Sequence, residues 1–383
     1  MKLRTLDDLD VAGKRVLLRA DFNVPLNDGE IVDDMRIRAT LPTIAALRER
    51  RASQVIVCSH LGRPKGKPDP AYTLAPIADR LTELLNVAVP LAETPLGPVG
   101  PGAPIFLLEN LRFDPGEEAN EREFSDRLAS LGDLYVDDAF GAAHRAHASV
   151  VGLAERLPSA AGLLLQKEVS VLSHLLEDPA RSFLAIVGGA KVSDKLPVLS
   201  KLLEHVDRLA IGGAMCFTFF AAQGFGVGRS LMEPDQVDAV RTLMHTAGDR
   251  LLLPVDVVVA EKPEPGVVTR TVPIDAIPED LAGYDVGSQT CRNYVDAIRA
   301  SATVFWNGPM GVFEVSEFDG GTRAVAAGIA KGSAFSVVGG GDSGAALEKF
   351  GYVDEVDHVS TGGGASLEFL EGKTLPGLVP LLV

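Results

Sequence analysis

Cysteine is scarce and scattered. Three thiols, Cys58, Cys216 and Cys291, lie far apart in 383 residues, with no CxxC pair and no histidine partner at zinc-finger spacing. That excludes a disulfide scaffold and a cysteine-rich metal knuckle, and free, reduced thiols are expected. A surplus of positive charge is missing too. Against 36 Lys and Arg stand 52 Asp and Glu, a net charge of -16. Nucleic acid and anionic membrane surfaces both demand broad basic patches, so neither is expected as the main partner. No apolar run reaches membrane-spanning length, and Met1 to Asp10 carries charges where a secretory leader needs an apolar core, so a cytoplasmic protein is expected. Long polar tracts and short solenoid-type repeats are also lacking.

What is present suits a large, ordered chain. The composition is 46% hydrophobic and 23% charged, and the length exceeds what one hydrophobic core usually serves, so two domains are expected. Short β-branched or aliphatic runs alternate with longer segments of helical spacing: Val16–Leu18, Val55–Cys58, Ile105–Leu108 and Leu134–Val136, then Phe183–Val187, Leu209–Ile211, Leu251–Val259, Val304–Trp306 and Phe335–Val338. Continuous apolar runs of this kind mark strands of parallel sheets buried on both faces. The pattern predicts an α/β protein of two doubly wound, Rossmann-like parallel-sheet domains joined by a central helix and hinge. The helix is expected over 159–178, punctuated by Pro158 and Pro179, between domains at 1–158 and 179–365. A closed eight-stranded barrel is the competing architecture, although the central helix without an obvious preceding strand breaks its regular alternation.

Ligands of open parallel sheets bind at the carboxyl ends of the strands, and polar residues gather there in this sequence. Arg19 to Pro25 follows the first strand, Ser59 to Arg63 the second, Glu109 to Arg112 the third, and Asp137-Asp138 leads to Gly141–His147 after the fourth. If these loops share a rim, Arg36, Arg63, Arg112 and Arg145 converge on one cleft. Guanidinium forks pair bidentately with phosphate and carboxylate, while Asp21, Asn23 and His60 suit hydroxyl and carboxylate groups. A single such arginine is more simply a solvated charge; four at strand ends favour a site for a small polyanion.

The second half carries glycine clusters at Gly188-Gly189, Gly212-Gly213, Gly339–Gly344 and Gly362–Gly364. Phosphate cradles need glycine so that backbone N–H groups can approach oxygens, although a tight turn explains any one pair as well. Lys191 and Lys195 share a face if the segment after Gly189 is helical. Asp342 is placed to hold Mg²⁺ or, alternatively, Asp342 or Ser343 to cap a helix. No Walker A motif is present. Gly339, Gly341 and Gly344 satisfy GxGxxG, which leaves a nicotinamide-dependent dehydrogenase open, and a non-catalytic anion-binding protein is a further alternative.

Eight ordered blocks spanning nearly the whole chain resemble the phosphoglycerate kinase family. They are Lys14–Pro25, Ser59–Pro64, Glu109–Phe113, Ala143–Ser149, Gly188–Lys195, Trp306–Glu314, Gly339–Asp342 and Ser360–Ser366. The resemblance implies that Asp21, Phe22, Asn23, Arg36, His60, Leu61, Gly62, Arg63, Arg112 and Arg145 hold 3-phosphoglycerate or 1,3-bisphosphoglycerate. It implies that Lys191 and Lys195 meet the phosphates of ATP or ADP, Glu314 the ribose, Asp342 the Mg²⁺, and Gly340, Gly341, Asp342 and Ser343 the phosphate chain. Gly213, Gly283, Asn307, Pro309 and Val312 would surround the nucleoside. Arg36 and Lys195 would be the catalytic cations, 366–383 would return to the first domain, and the enzyme would act as a monomer. Ser343 stands where the family usually has Thr, Met310 replaces a smaller aliphatic residue, and Ser288 stands where Pro is common.

Overall fold

The computed structural model describes residues 1–100 and 102–383. The chain divides into two compact units, Met1–Ser170 with Lys373–Val383, and Val171–Gly372. The return therefore begins at 373. The expected start at 366 falls inside the helix Gly364–Leu370, which belongs to the second unit.

In the first unit, β1 (Arg15–Arg19) is followed by a short hairpin of β2 (Leu26–Asn27) and β3 (Glu30–Ile31). Then come β4 (Gln54–Cys58), β5 (Ile105–Leu107), β6 (Leu134–Asp137) and β7 (Ser159–Ala161). The main sheet has the order β5-β4-β1-β6-β7, with every pair parallel. The middles of its strands read as apolar because both faces are covered. Val16, Leu18, Val55, Val57 and Val136 enter one core with Ile37, Ile44 and Leu81. The alternate residues Leu17, Ile56, Cys58 and Tyr135 enter the other with Phe124 and Leu128.

The helix leaving this unit is Leu163–Glu177, shorter at its start than expected. Ser159–Ala161 pairs with β6 instead, and the carbonyl of Pro158 accepts from Tyr135 N, so Pro158 lies before a strand and not in a helical turn. The first N–H groups of Leu163–Glu177 are met by side chains: Thr43 Oγ1, from the helix Met35–Glu49, accepts from Leu163 N at 3.0 Å, and Asp138 Oδ1, just after β6, accepts from Leu164 N at 2.9 Å and Leu165 N at 3.2 Å.

Burial raises the Asp138 carboxyl from its ordinary 3.8 to about 7. Between those values the folded protein keeps a proton that the unfolded chain has released. The contribution therefore favours folding at low pH and is lost as pH rises through 7. Asp138→Asn cannot ionise. Its stability relative to the parent is expected to climb between about pH 5 and about pH 7, with a limiting slope of about 1.4 kcal/mol per pH unit. Urea unfolding across that range measures it; a pH-independent difference would remove the assigned ionisation.

The second unit contains β8 (Phe183–Val187), β9 (Arg208–Ile211), β10 (Leu251–Leu252), β11 (Asp256–Ala260), β12 (Arg270–Pro273) and β13 (Ala282–Val286). After them come β14 (Thr303–Asn307), β15 (Phe335–Gly339) and β16 (His358–Ser360). Six of these form a sheet of order β10-β9-β8-β14-β15-β16, with all pairs parallel. The run Leu251–Val259 is not one strand: Pro254 interrupts it, and β11 joins an antiparallel sheet of order β12-β11-β13. Both parallel sheets are open, so the barrel alternative is not realised. Among the described residues no helix is long and apolar enough to cross a membrane.

Candidate active site

In each parallel sheet the strand order reverses beside the first strand, between β1 and β6 in one unit and between β8 and β14 in the other. Crevices for ligands open at the carboxyl ends of strands at such points.

In the first unit the expected residues gather there around His60, which is 4% exposed. Arg36, in the first turn of the helix Met35–Glu49, donates from Nη1 to Asp21 Oδ2 at 2.7 Å. Asn23 Oδ1 accepts from Gly62 N at 2.9 Å and ties the loop after β1 to the loop after β4. Arg112 donates from Nη1 to the Gly62 carbonyl at 2.6 Å, and its Nε lies 3.3 Å from Glu118 Oε1. Arg145 is half-buried and donates from Nε to His144 Nε2 at 3.1 Å.

These cations act on one another. Burial, then the charges of Arg19, Arg112, Arg145 and Arg36, hold the His60 imidazole well below the usual histidine range. Burial and Arg145 push the Arg112 guanidinium down to about 10, which leaves it charged at neutral pH. Arg112 Nη2 is buried and has no hydrogen-bond partner among the described residues. Crowded cations with an idle donor are the chemistry that suits an anion, and the arrangement is a candidate anion cradle.

Not every expected residue points into this cradle. Phe22 and Leu61 turn into the apolar core, and their N–H groups are engaged by Ser59 Oγ and Asn110 Oδ1. They shape the loops. Gly62 has a positive φ of 60°, and a Cβ there would meet the Tyr72 ring at 2.2 Å. Arg63 is exposed on the adjoining loop. Sequence reasoning passed over Arg19 as a site residue, because it closes an apolar strand run and its burial depends on partners distant in the chain.

In the second unit a cleft of about 490 Å³ is lined by Gly189, Gly213, Gly283, Pro309, Val312, Glu314 and Asp342 among others. Phe217, Tyr284, Asp285 and Met310 also line it and were not expected to. Tyr284 and Asp285, two of the residues β13 contributes, carry no glycine or cation signal; burial raises the Asp285 carboxyl to about 7, while it accepts from Val286 N and Gly321 N. Met310 is 1% exposed. Its thioether occupies the space that side chains at Gly188 and Gly212 would need.

Beside the cleft, Lys195 donates from Nζ to Asn307 Oδ1 at 2.5 Å, and Asn307 Nδ2 donates to the Gly339 carbonyl at 2.8 Å. Burial lowers the Lys195 ammonium, and Asp342 and Asp194 partly offset it. Lys191 and Lys195 do not share a helical face: the helix begins only at Leu196, after a turn in which Ser193 is tied to Glu233 through N at 3.0 Å and Oγ at 2.6 Å. Lys191 is exposed. The capping alternative for Asp342 and Ser343 is not realised either. Gly340 is the N-cap of the helix Gly341–Phe350, Asp342 is exposed in its first turn, and Ser343 Oγ accepts from Gly308 N at 2.6 Å. Around Gly341, in the first turn of that helix, nothing lies within 4 Å of where a Cβ would stand, so the helix amino terminus is open on that side.

A candidate anion cradle of guanidinium groups on one parallel sheet, and on another a glycine-lined cleft with a lysine and a helix amino terminus, fit a phosphotransferase of the kinase class. Comparison with known proteins narrows the class. The profile of the phosphoglycerate kinase family matches residues 6–373. A phosphoglycerate kinase of Rubrobacter xylanophilus is 55% identical over 387 residues, covering 100% of this chain and 98% of that protein. One of Salinispora arenicola is 52% identical over 398 residues, covering 100% of both. Among solved structures, phosphoglycerate kinase from Coxiella burnetii superposes with a TM-score of 0.88 at 42% identity, over 99% of each chain. The chain belongs to the phosphoglycerate kinase family.

Proposed function

We propose that the arginine-rich edge of the first unit holds the phosphoglycerate and the glycine-rich edge of the second holds the nucleotide. The chain transfers a phosphoryl group from 1,3-bisphosphoglycerate to ADP, giving 3-phosphoglycerate and ATP, reversibly, as a step of glycolysis. The observation that carries the residue assignment is the way Arg36, Arg112, Asp21 and Asn23 are tied to one another and to the His60–Gly62 loop. Arg36, Arg112 and Arg145 face the acid and its phosphate, with Arg63 reaching in from the exposed loop, while Asp21, Asn23 and His60 orient its hydroxyl and carboxylate.

On the second unit, Gly213, Gly283, Pro309 and Val312 surround the nucleoside, and Glu314 takes the ribose. Lys191 and Lys195 meet the phosphates, together with the N–H groups of Gly340 to Ser343. The exposed carboxylate of Asp342, beside that open helix end, suits a divalent ion whose remaining ligands are phosphate oxygens and water. Mg²⁺ bound there with the nucleotide would neutralise charge on the phosphates.

In the direction of ATP use the nucleophile is the carboxylate of 3-phosphoglycerate, already ionised at neutral pH, so the site has no need of a general base. Arg36 and Lys195 neutralise the equatorial oxygens of the group in transit, and the loops hold both ligands in line. Because the two ligands bind on different units, a hinge movement brings donor and acceptor together and expels water. The chain acts in this reading as a cytoplasmic monomer without nucleic-acid or membrane partners.

The direct test is formation of 1,3-bisphosphoglycerate from ATP and 3-phosphoglycerate, trapped by a coupled dehydrogenase, with and without Mg²⁺. Rapid turnover that stops when the metal is chelated is expected. Folded protein that binds 3-phosphoglycerate but produces no acyl phosphate would leave an anion-binding protein.

A further inference from the structure

Arg19, the last residue of β1, is 0% exposed. A buried guanidinium needs a partner for each edge, and its bonds run to defined places. Nε donates to Ser149 Oγ at 2.8 Å, Nη1 donates to the Ala20 carbonyl, and Nη2 stands 3.0 Å from His60 Nδ1. Ser149 is held in turn by Glu117, also 0% exposed: its Oγ donates to Glu117 Oε1 at 2.5 Å and its N donates to Glu117 Oε2 at 2.9 Å. A carboxylate and a guanidinium, bridged by one hydroxyl, thus balance each other inside the unit.

The contact with His60 has only one chemically allowed sense. A guanidinium carries donors and no acceptor and keeps its charge, so Nη2–H donates and Nδ1 accepts. An imidazole that accepts at Nδ1 is neutral and carries its proton on Nε2. Asp21 is the other group near Nδ1, and it does not set the ring: its Oδ1 is 3.9 Å away, beyond hydrogen-bond reach, and its Oδ2 is taken by Arg36. Among the described residues the ring makes no hydrogen bond at Nε2.

We propose that Arg19 is a positioning residue that locks His60 as the neutral Nε2–H tautomer, so that His60 donates a hydrogen bond to an oxygen of the bound phosphoglycerate. Ser149 and Glu117 hold Arg19 in the orientation that does this. The inference rests on the reading that His60 faces the acid, and it adds to that reading the direction of the hydrogen bond and the residue responsible for it.

The test uses the full chain labelled with ¹⁵N-histidine, with the His60 ring signals assigned by their absence in His60→Gln. The parent is expected to show a pyridine-type Nδ1 and a pyrrole-type Nε2. Arg19→Met, which keeps bulk but loses donor and charge, is expected to give a mixed or reversed tautomer. Its KM for 3-phosphoglycerate should rise about tenfold, the scale of one charge-assisted hydrogen bond, while KM for ATP stays unchanged. Arg19→Lys, which keeps a donor and a charge, should recover part of the tautomer preference and of the affinity. If Arg19→Met fails to fold, the parent spectrum still decides the tautomer and Ser149→Ala tests the tether. A pyrrole-type Nδ1 in the parent, or an unchanged spectrum and KM in Arg19→Met, overturns the proposal. An unchanged KM in His60→Gln overturns instead the reading that His60 contacts the acid.

Discussion

Arg36→Ala is expected to lower kcat roughly 10²–10³-fold, the usual result of removing one preorganised cation aimed at developing charge. Arg36 starts from a fixed position: the helix Met35–Glu49 carries its backbone, and the 2.7 Å ion pair with Asp21 holds its fork near His60. It is only half-buried, so its removal creates no large cavity. The stability cost is that of leaving Asp21 without its partner, and the melting temperature should move far less than turnover does. Lys195→Ala should behave alike, with a further loss from freeing Asn307. Saturating-substrate kinetics beside thermal melts separate the two effects. Near-parent kcat in both variants would remove them from the catalytic roles.

The second large effect is expected from a single methyl group. A Cβ at Gly188 would lie 2.1 Å from the Pro309 carbonyl oxygen, 2.6 Å from Met310 Cε and 2.8 Å from the Pro309 carbonyl carbon. Met310 can swing away, but the Pro309 backbone cannot without pulling apart the place where Gly188 N donates to the Asn307 carbonyl at 2.8 Å. Overpacking of this kind costs about 1–3 kcal/mol, and more where backbone must move. Asn307 also anchors Lys195, so Gly188→Ala should lower the unfolding midpoint and raise KM for ATP together. Binding of 3-phosphoglycerate, assigned to the other unit, should persist by calorimetry. Gly226→Ala is the control, since nothing lies within 4 Å of its Cβ position and its φ is not positive. Equal stability of the two variants would show that the close approach is not maintained in solution.

How much of this was legible in the sequence depended on how local the cause was. The strands β1, β4, β5, β6, β8, β9, β14 and β15 were readable because the middle of each is buried on both faces, which writes an apolar run. β7 was not, since Ser159, Ala160 and Ala161 are too small to announce a strand and pair only because β6 offers an open edge. β12 was hidden for a related reason: Arg270 to Pro273 is largely exposed and ends in proline. The gathering of arginines in the first unit was legible because arginines at strand ends form a pattern a linear reading can see. The roles of Arg19, Glu117 and Ser149 were not, because a buried guanidinium and carboxyl group joined through a hydroxyl are defined by partners that only folding brings together. The expected pairing of Lys191 with Lys195 failed for lack of a long-range fact, the tie between Ser193 and Glu233.

The first unit is made from two separate stretches, Met1–Ser170 and Lys373–Val383, with the second unit encoded between them. Arg4 N donates to the Leu381 carbonyl at 2.8 Å, Leu3 bridges Leu382, and Gly377 N donates to the Ala143 carbonyl at 2.8 Å. During translation, then, the second unit has all its strands available while the first still waits for 373–383. The order of synthesis and the order of completion are reversed: the unit whose chain is made first is the one that waits for Lys373–Val383 to close it.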